Sequence, residues 1–395
     1  MGKKSWAMPN FARKYGVECS LCHTVVPKLT PTGFRFRAAG FRMPEELAEE
    51  QKGDFKLGDY FSARIQVRED VKQTKVDSSS ETSNQLTFHE VTFYPLAGAF
   101  AKHFSSLVEM SFASEETAEI ENAYLRANWG KPESYLSVRA GIFHPFEGFG
   151  ASDRPLSLSR PLFQTNQAIH DQNTYFKIWG FDQAGLELGY SYKNSFLRLT
   201  VFNGINSEGE PAQGGDLQKS DDSPSFNNKD VQITFTQLLG DSGSGLGAYF
   251  YHGAIDLPIG NNDMLWKNTF NRYALYANYE LNEKFNFLAG YARGNDHKYD
   301  LFSNTSSSDT FSNNGYFIEG DYLFHEFMGT GVRYDWFDPS SDKSDNEQRA
   351  ITAFVNTPLN NGVQFIAEYQ NKSIKQGSLP NINMNAFQIR LIVIW

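Results

Sequence analysis

The stretch Asn385-Ala386-Phe387-Gln388-Ile389-Arg390-Leu391-Ile392-Val393-Ile394-Trp395 decides the fold. Phe387, Ile389, Leu391, Val393 and Trp395 share one parity, and Gln388 and Arg390 lie on the other. Successive side chains of a strand point to opposite faces, so this run has one apolar face and one mixed face. A half-buried soluble strand produces the same alternation. An aromatic residue closing such a strand is more typical of outer-membrane barrels, whose walls alternate apolar and polar in segments of about 10 residues.

Comparable segments run back along the chain at roughly 60–72, 85–96, 99–112, 119–129, 134–145, 183–193, 195–206 and 230–239. They continue near 246–257, 270–281, 284–295, 314–325, 328–338, 348–357, 362–372 and 382–395. The fold class predicted is all-β: a transmembrane antiparallel barrel of about sixteen strands, an even number as in single-chain bacterial barrels. Apolar stripes such as Leu136-Val138-Ala140-Ile142 and Tyr273-Leu275-Ala277-Tyr279-Leu281 would face lipid. Arg139, Glu187, Arg272, Asn278, Arg333, Asp335 and Glu368 would face the lumen. Aromatics at strand ends, as in Tyr60-Phe61 and Trp336-Phe337, suit interfacial girdles. Short links at 96–98, 130–133, 193–194, 240–244, 281–283, 326–327 and 358–361 alternate with long ones near 73–84, 146–182, 207–228, 258–269, 296–313, 339–347 and 373–381. The exception is a brief link near 113–118. Short turns face the periplasm and long loops face outside. The 146–182 segment would fold inward as a constriction or cap the outer mouth. No repeat of fixed period supports a propeller.

No apolar run approaches the ~18 residues of a helical span, and mean hydropathy is negative. Residues 5–9 form no apolar leader core, so the sequence reads as a mature form. A net charge of −10 offers no basic footprint for nucleic acid, and no such partner is expected.

Ahead of the barrel, Cys19-Ser20-Leu21-Cys22-His23 contains both cysteines of the 395 residues. C-x-x-C-H is the attachment run of c-type haem. Each thiol forms a thioether to the porphyrin, and the adjacent His ligates the iron. A redox dithiol would be expected beside a βαβ pattern. A structural zinc site would need a second ligand pair nearby, and the next His is distant His89. The division predicted is therefore a monohaem c-type cytochrome unit at 1–55 and a porin-like barrel at 56–395. One covalently attached c-type haem is the cofactor. A unit of this size cannot bury enough surface alone, so it should plug the lumen or lie across its mouth. His23 is the proximal ligand. Met43 is the first candidate for the distal position, ahead of Met8 and His103. Among the basic residues of the unit, Arg35 and Arg37 are the first candidates to pair with haem carboxylates.

The run Phe11-Ala12-Arg13-Lys14-Tyr15-Gly16, then Cys19 to Thr24, Pro27-Lys28-Leu29, Gly33-Phe34-Arg35-Phe36-Arg37 and Gly40-Phe41-Arg42-Met43-Pro44 resembles the outer-membrane monohaem cytochrome–porin fusions, proposed Fe(II) oxidases of iron-oxidising bacteria. The detailed match covers about residues 7–44; over the barrel the similarity is one of architecture. The resemblance implies an outer-membrane electron conduit that oxidises extracellular Fe(II) and hands electrons to a periplasmic cytochrome. Such a conduit would act by outer-sphere transfer as an iron(II):cytochrome oxidoreductase. Electrons, but not iron, would cross the apolar band of ~25 Å. Three alternatives stand beside it: outward electron flow, a diffusion porin with a haem-containing plug, and a peroxidase-like haem enzyme. No G-x-S-x-G or H-E-x-x-H run points to hydrolysis. Acidic residues in the expected outer loops (Asp77, Glu81, Glu115, Glu116, Glu208, Glu210, Asp216, Asp221, Asp222, Asp338, Asp342, Asp345) would gather hard divalent cations electrostatically without defining one ligand set.

Overall fold

A computed structural model describes residues 8–47, 56–113, 119–144, 148, 155–164, 168–169, 172–173, 183–204, 229–259, 262–300, 305–325, 328–360 and 362–395. Sixteen antiparallel strands close into one barrel. They are β1 (Ser62–Val76), β2 (Ser79–Ala99), β3 (Phe104–Ala113), β4 (Glu119–Lys131), β5 (Ser134–Phe143), β6 (Gln183–Tyr192), β7 (Ser195–Phe202) and β8 (Asp230–Leu238). The other half comprises β9 (Gly245–Ile259), β10 (Asn262–Glu280), β11 (Phe285–Asp300), β12 (Thr305–His325), β13 (Met328–Asp338), β14 (Gln348–Asn360), β15 (Val363–Gln376) and β16 (Leu379–Ile394). Each strand pairs with its sequence neighbours. Closure comes from β1 against β16, in register from Arg64 opposite Ile394 to Val76 opposite Ile382. Closure leaves no sheet edge, which is what a wall surrounded by hydrocarbon requires.

The parity read from sequence is the parity of the wall. Leu136, Leu186, Leu188, Tyr273, Leu275, Phe387, Leu391 and Trp395 are exposed outward. Arg139, Glu187, Arg272, Arg333, Asp335 and Glu368 are buried inside. The inward charges are paired: Arg139 to Glu187 at 2.5 Å, Arg272 to Asp296 at 2.8 Å and Arg333 to Asp335 at 2.8 Å.

Two expectations about the links are corrected. Residues 96–98 belong to β2, and the turn lies at 100–103, because Pro95 and Leu96 interrupt the ladder only as an irregularity between Phe93 and Leu96. Four expected outer loops are largely strand. β1 and β2 continue to a tight turn at 77–78, where Asp77 takes a left-handed φ of 51°. β9 with β10, β11 with β12, and β15 with β16 also run on as paired strands through the described residues. Polar Ser, Thr and Asn runs pair well in a ladder once outside hydrocarbon, so apolar alternation alone underestimates strand length.

Residues 8–47 fold inside the short-turn end of the lumen. Helix α1 (Pro9–Tyr15) starts on a proline and ends at Gly16, whose left-handed φ of 63° lets its N–H close on the Ala12 carbonyl. Helix α2 (Pro31–Ala38) is capped by Thr30, whose Oγ1 accepts the Gly33 N–H at 3.1 Å. Leu29, Phe34 and Ala38 pack into one apolar cluster with wall residues Phe196, Leu238 and Tyr249. Such burial is what a segment too short to make its own core needs.

Side chains of the segment then satisfy backbone carbonyls around the rim. Arg13 reaches Gly58 and Phe61 at 2.9 and 2.7 Å, Asn10 reaches Ala97 at 2.9 Å, and Arg42 reaches Phe104 at 3.0 Å and Ala101. The basic residues of this unit thus serve largely as seat bolts.

Candidate functional site: a composite cavity in the barrel lumen

Cys19 lies in a single 3-10 turn, Cys19–Leu21, whose close is marked by the Cys22 N–H on the Cys19 carbonyl at 3.0 Å. That turn brings Cys19, Cys22 and His23 onto one cavity. Thr30 fixes it from below, its Oγ1 donating to the Leu21 carbonyl at 2.6 Å and its N–H to the Cys22 carbonyl at 2.9 Å. Gly33 lies so close that a Cβ there would sit 2.1 Å from the Cys22 carbonyl oxygen. The wall clamps the far side: Asn356 and Gln364 donate to the Val26 carbonyl at 3.0 and 3.3 Å, and Lys28 pairs with Glu280 at 2.9 Å.

The cavity measures about 370 Å³ and is lined by Met8, Cys19, Cys22, His23, Arg37 and Met43 from the segment. This is within the ~300–1,000 Å³ of small-molecule and cofactor sites. The wall adds Arg64, Tyr94, Glu109, Glu121 and Ile392, and the segment after β5 adds His144, Leu156, Leu158 and Arg160. Met43 packs with the aromatic cluster of Phe36, Phe41, Tyr124, Phe143 and Phe202.

His23 is buried with its Nδ1 against the Lys28 carbonyl at 3.2 Å, which leaves Nε2 for a metal. Burial pushes its pKa down to about 4, the Lys28 carbonyl pulling up and the Arg37 charge down. The imidazole is therefore neutral, as a ligand must be. Burial, with Cys19 nearby, pushes the Cys22 thiol up to about 11. A redox dithiol needs the opposite shift. Cys19 and Cys22 are not joined in a disulfide. The residues therefore fit a covalently held haem: two thiols, a neutral imidazole with an oriented ring, a thioether candidate on the same cavity, apolar walls and nearby guanidinium groups. Among the described residues no group of three or more His, Cys, Asp and Glu is arranged to hold a metal ion by itself.

Met43, Met8, Arg37, Cys19, Cys22 and His23 thus share one cavity, and two other candidates are elsewhere. Arg35 turns to the short turns, donating to Asn194 at 2.8 Å and pairing with exposed Asp241 at 2.7 Å. His103 lies before β3 begins rather than on an inward strand position. Its Nδ1 meets the Asn128 carbonyl at 2.9 Å, and its ring stacks on Trp129. Of the outer acidic residues, Asp77 and Glu81 lie on the β1–β2 hairpin and Asp338, Asp342 and Asp345 around the β13–β14 link. The others lie outside the described residues.

Of the two placements open for the 146–182 segment, its described stretch takes the inward one. Residues 155–164 fold inward. The Leu156 N–H reaches Glu319 at 3.0 Å, the Leu158 N–H reaches Glu368 at 2.6 Å, and Arg333 donates to the Ser159 carbonyl at 2.8 Å. Their sequence signal was the length of the 146–182 link. The matching signal in the wall was charge at the inward parity of β12, β13 and β15.

Fold and site together define a porin-type barrel whose lumen is occupied at one end by its own N-terminal segment and partway up by an inward loop. Solved structures share the barrel. OmpT of Vibrio cholerae, an outer membrane protein in trimer form, matches with a TM-score of 0.53 at 10% identity, covering 85% of this chain and 99% of that one. The outer membrane channel DcaP of Acinetobacter baumannii matches at 0.53 with 12% identity over 87% and 100%. Salmonella typhi OmpF in complex with daunomycin matches at 0.52 with 10% identity over 84% and 97%. At these identities the likeness is one of fold. No protein-family model and no curated protein matches the sequence.

Proposed function

We propose that this chain is an outer-membrane electron conduit of the monohaem cytochrome–porin type. It takes electrons from extracellular Fe(II) through one c-type haem and passes them to a periplasmic cytochrome. One observation carries the reading: the C-x-x-C-H turn and Met43 line a single cavity inside a barrel whose outer face is apolar. Haem, when bound, supplies a one-electron couple. His23 and Met43 would be the residues that hold its iron, and a thioether ligand raises the potential. Arg37 offers a cation to the porphyrin carboxylates. The segment 8–47 closes the short-turn end, so iron stays outside while charge passes. Acidic hairpins at the other end draw cations toward the lumen.

A second reading is a diffusion porin whose plug only senses or gates. It is favoured by the porin fold and by the half-exposed charges of Arg68 and Asp70 on the lumen side of β1. Anaerobic mixing of the purified protein with Fe(II) separates the two. A conduit is expected to develop the reduced-haem absorbance within the mixing series and to pass few ions in a planar bilayer. An unreduced haem with high conductance contradicts it.

A further inference from the structure

The inward loop makes hydrogen bonds far beyond what a passive constriction needs. Its Leu156 and Ser157 bond to Glu319 at 3.0 and 3.1 Å, and Leu158 and Ser159 donate their N–H groups to Glu368 at 2.6 and 3.1 Å. The Leu162 N–H meets Asp335 at 3.3 Å. Arg333, fully buried, returns bonds to the Ser159 carbonyl at 2.8 Å, the Ser159 hydroxyl at 2.9 Å and the Arg160 carbonyl at 3.3 Å. Three wall carboxylates thus accept loop N–H and O–H groups while Arg333 donates to loop oxygens, which holds the stretch from Leu156 to Leu162 against the wall. The loop also meets the N-terminal segment, since Leu156 and Val25 share an apolar cluster with Phe354. What this fixed loop presents to the cavity is an apolar pair, Leu156 and Leu158, followed by Arg160.

We infer that residues 155–164 form the second half of the cofactor site, with Leu156 and Leu158 covering the apolar porphyrin and Arg160 supplying a counter-charge to its carboxylates. The inference rests on the proposed haem and adds a binding residue outside the C-x-x-C-H segment. Three guanidinium groups line the cavity, and they are not equivalent. Arg64 is committed to Glu90 at 2.5 Å and faces Glu109 at 4.0 Å. Arg37 belongs to the same short segment as the attachment turn. Arg160 comes from the inward loop, and its carbonyl accepts from Arg333 at 3.3 Å, so the wall holds its backbone. A cation beside the porphyrin carboxylates favours the reduced, less positive haem, so its loss shifts the couple negative. Glu368 is a positioning residue: it touches loop N–H groups and acts only through the loop.

The test is redox titration of the intact, detergent-purified holoprotein with matched variants. Unheated electrophoretic mobility reports barrel folding separately. Arg160→Gln is expected to weaken reduction about threefold to tenfold, a tenfold change being about 59 mV for one electron. Arg160→Lys should recover most of the wild-type potential. In a Glu368→Gln background the Arg160→Gln shift should shrink, because a loosened loop no longer holds the charge in place. A folded Arg160→Gln protein with a wild-type potential overturns the inference while leaving the haem intact. An equal shift in both backgrounds removes Glu368 from it. A wild-type chain lacking thioether haem instead sinks the functional proposal on which the inference rests.

Discussion

Gly33 sets the position of Cys22 by having no side chain. Its absent Cβ would stand 2.1 Å from the Cys22 carbonyl oxygen and 2.9 Å from its Cα, both backbone atoms that cannot swing aside. Gly33→Ala is expected to cost about 1–3 kcal/mol by overpacking and to displace the attachment turn. Haem stained per chain should fall well below wild type while unheated mobility stays normal. Lys14 is the residue-scale pH probe. Burial first, then Arg42, pushes its ammonium down to about 8, while Asp59 and Glu46 pull it up. Its folded pKa is therefore below the unfolded one near 10.5. The unfolded chain binds more protons between those values, so stability should rise as pH climbs from 8 toward 10. Lys14→Met should flatten that rise in the thermal midpoint. Cys19, Cys22 and His23 were singled out by identity and spacing, and they line one cavity. Arg35 and Arg37 were not separable, since only the helical turn between them decides which meets Asp241 and which meets the cavity.

At the scale of elements, all sixteen strands could be found because each has one face in lipid, and lipid enforces alternation. Their outer ends were invisible for the converse reason: above the apolar band either face can be polar, and residues 79–87 of β2 are Ser, Glu, Thr, Asn and Gln with only Leu86 apolar. The inward loop had a length but no pattern. Its partners sit on strands more than 150 residues later, as in Leu158 with Glu368. Leu275 tests the lipid face. It is 63% exposed on β10, between the aromatic Tyr273 and Tyr279 on the same outward row. Leu275→Arg is expected to cost about 2–4 kcal/mol near the bilayer midplane. Reversible unfolding in lipid vesicles would measure it, and a neutral result would place this face in water.

For the whole molecule, the placement of residues 8–47 matters more than the strand count. A sixteen-stranded wall by itself encloses an aqueous channel. Here Leu29, Phe34 and Ala38 join the wall in one apolar cluster, and Phe163 of the inward loop belongs to it too. The full chain should therefore show low unitary conductance in planar bilayers, and deleting residues 8–47 should raise it. Equal conductance of the two would mean that the segment leaves the lumen in the membrane. Charge follows the same plan: inward ions are paired within the wall, as in Arg272 with Asp296. Arg68 and Asp70, part-exposed on the lumen side of β1, pair with each other in the same way.

The most direct measurement is the visible spectrum of the chain, expressed with haem-attachment machinery, purified in detergent and then fully denatured. One thioether-bound haem per chain should stay with the polypeptide and disappear in the Cys19→Ala, Cys22→Ala double variant. A colourless chain, or a pigment that extracts into acidified organic solvent, would contradict the account.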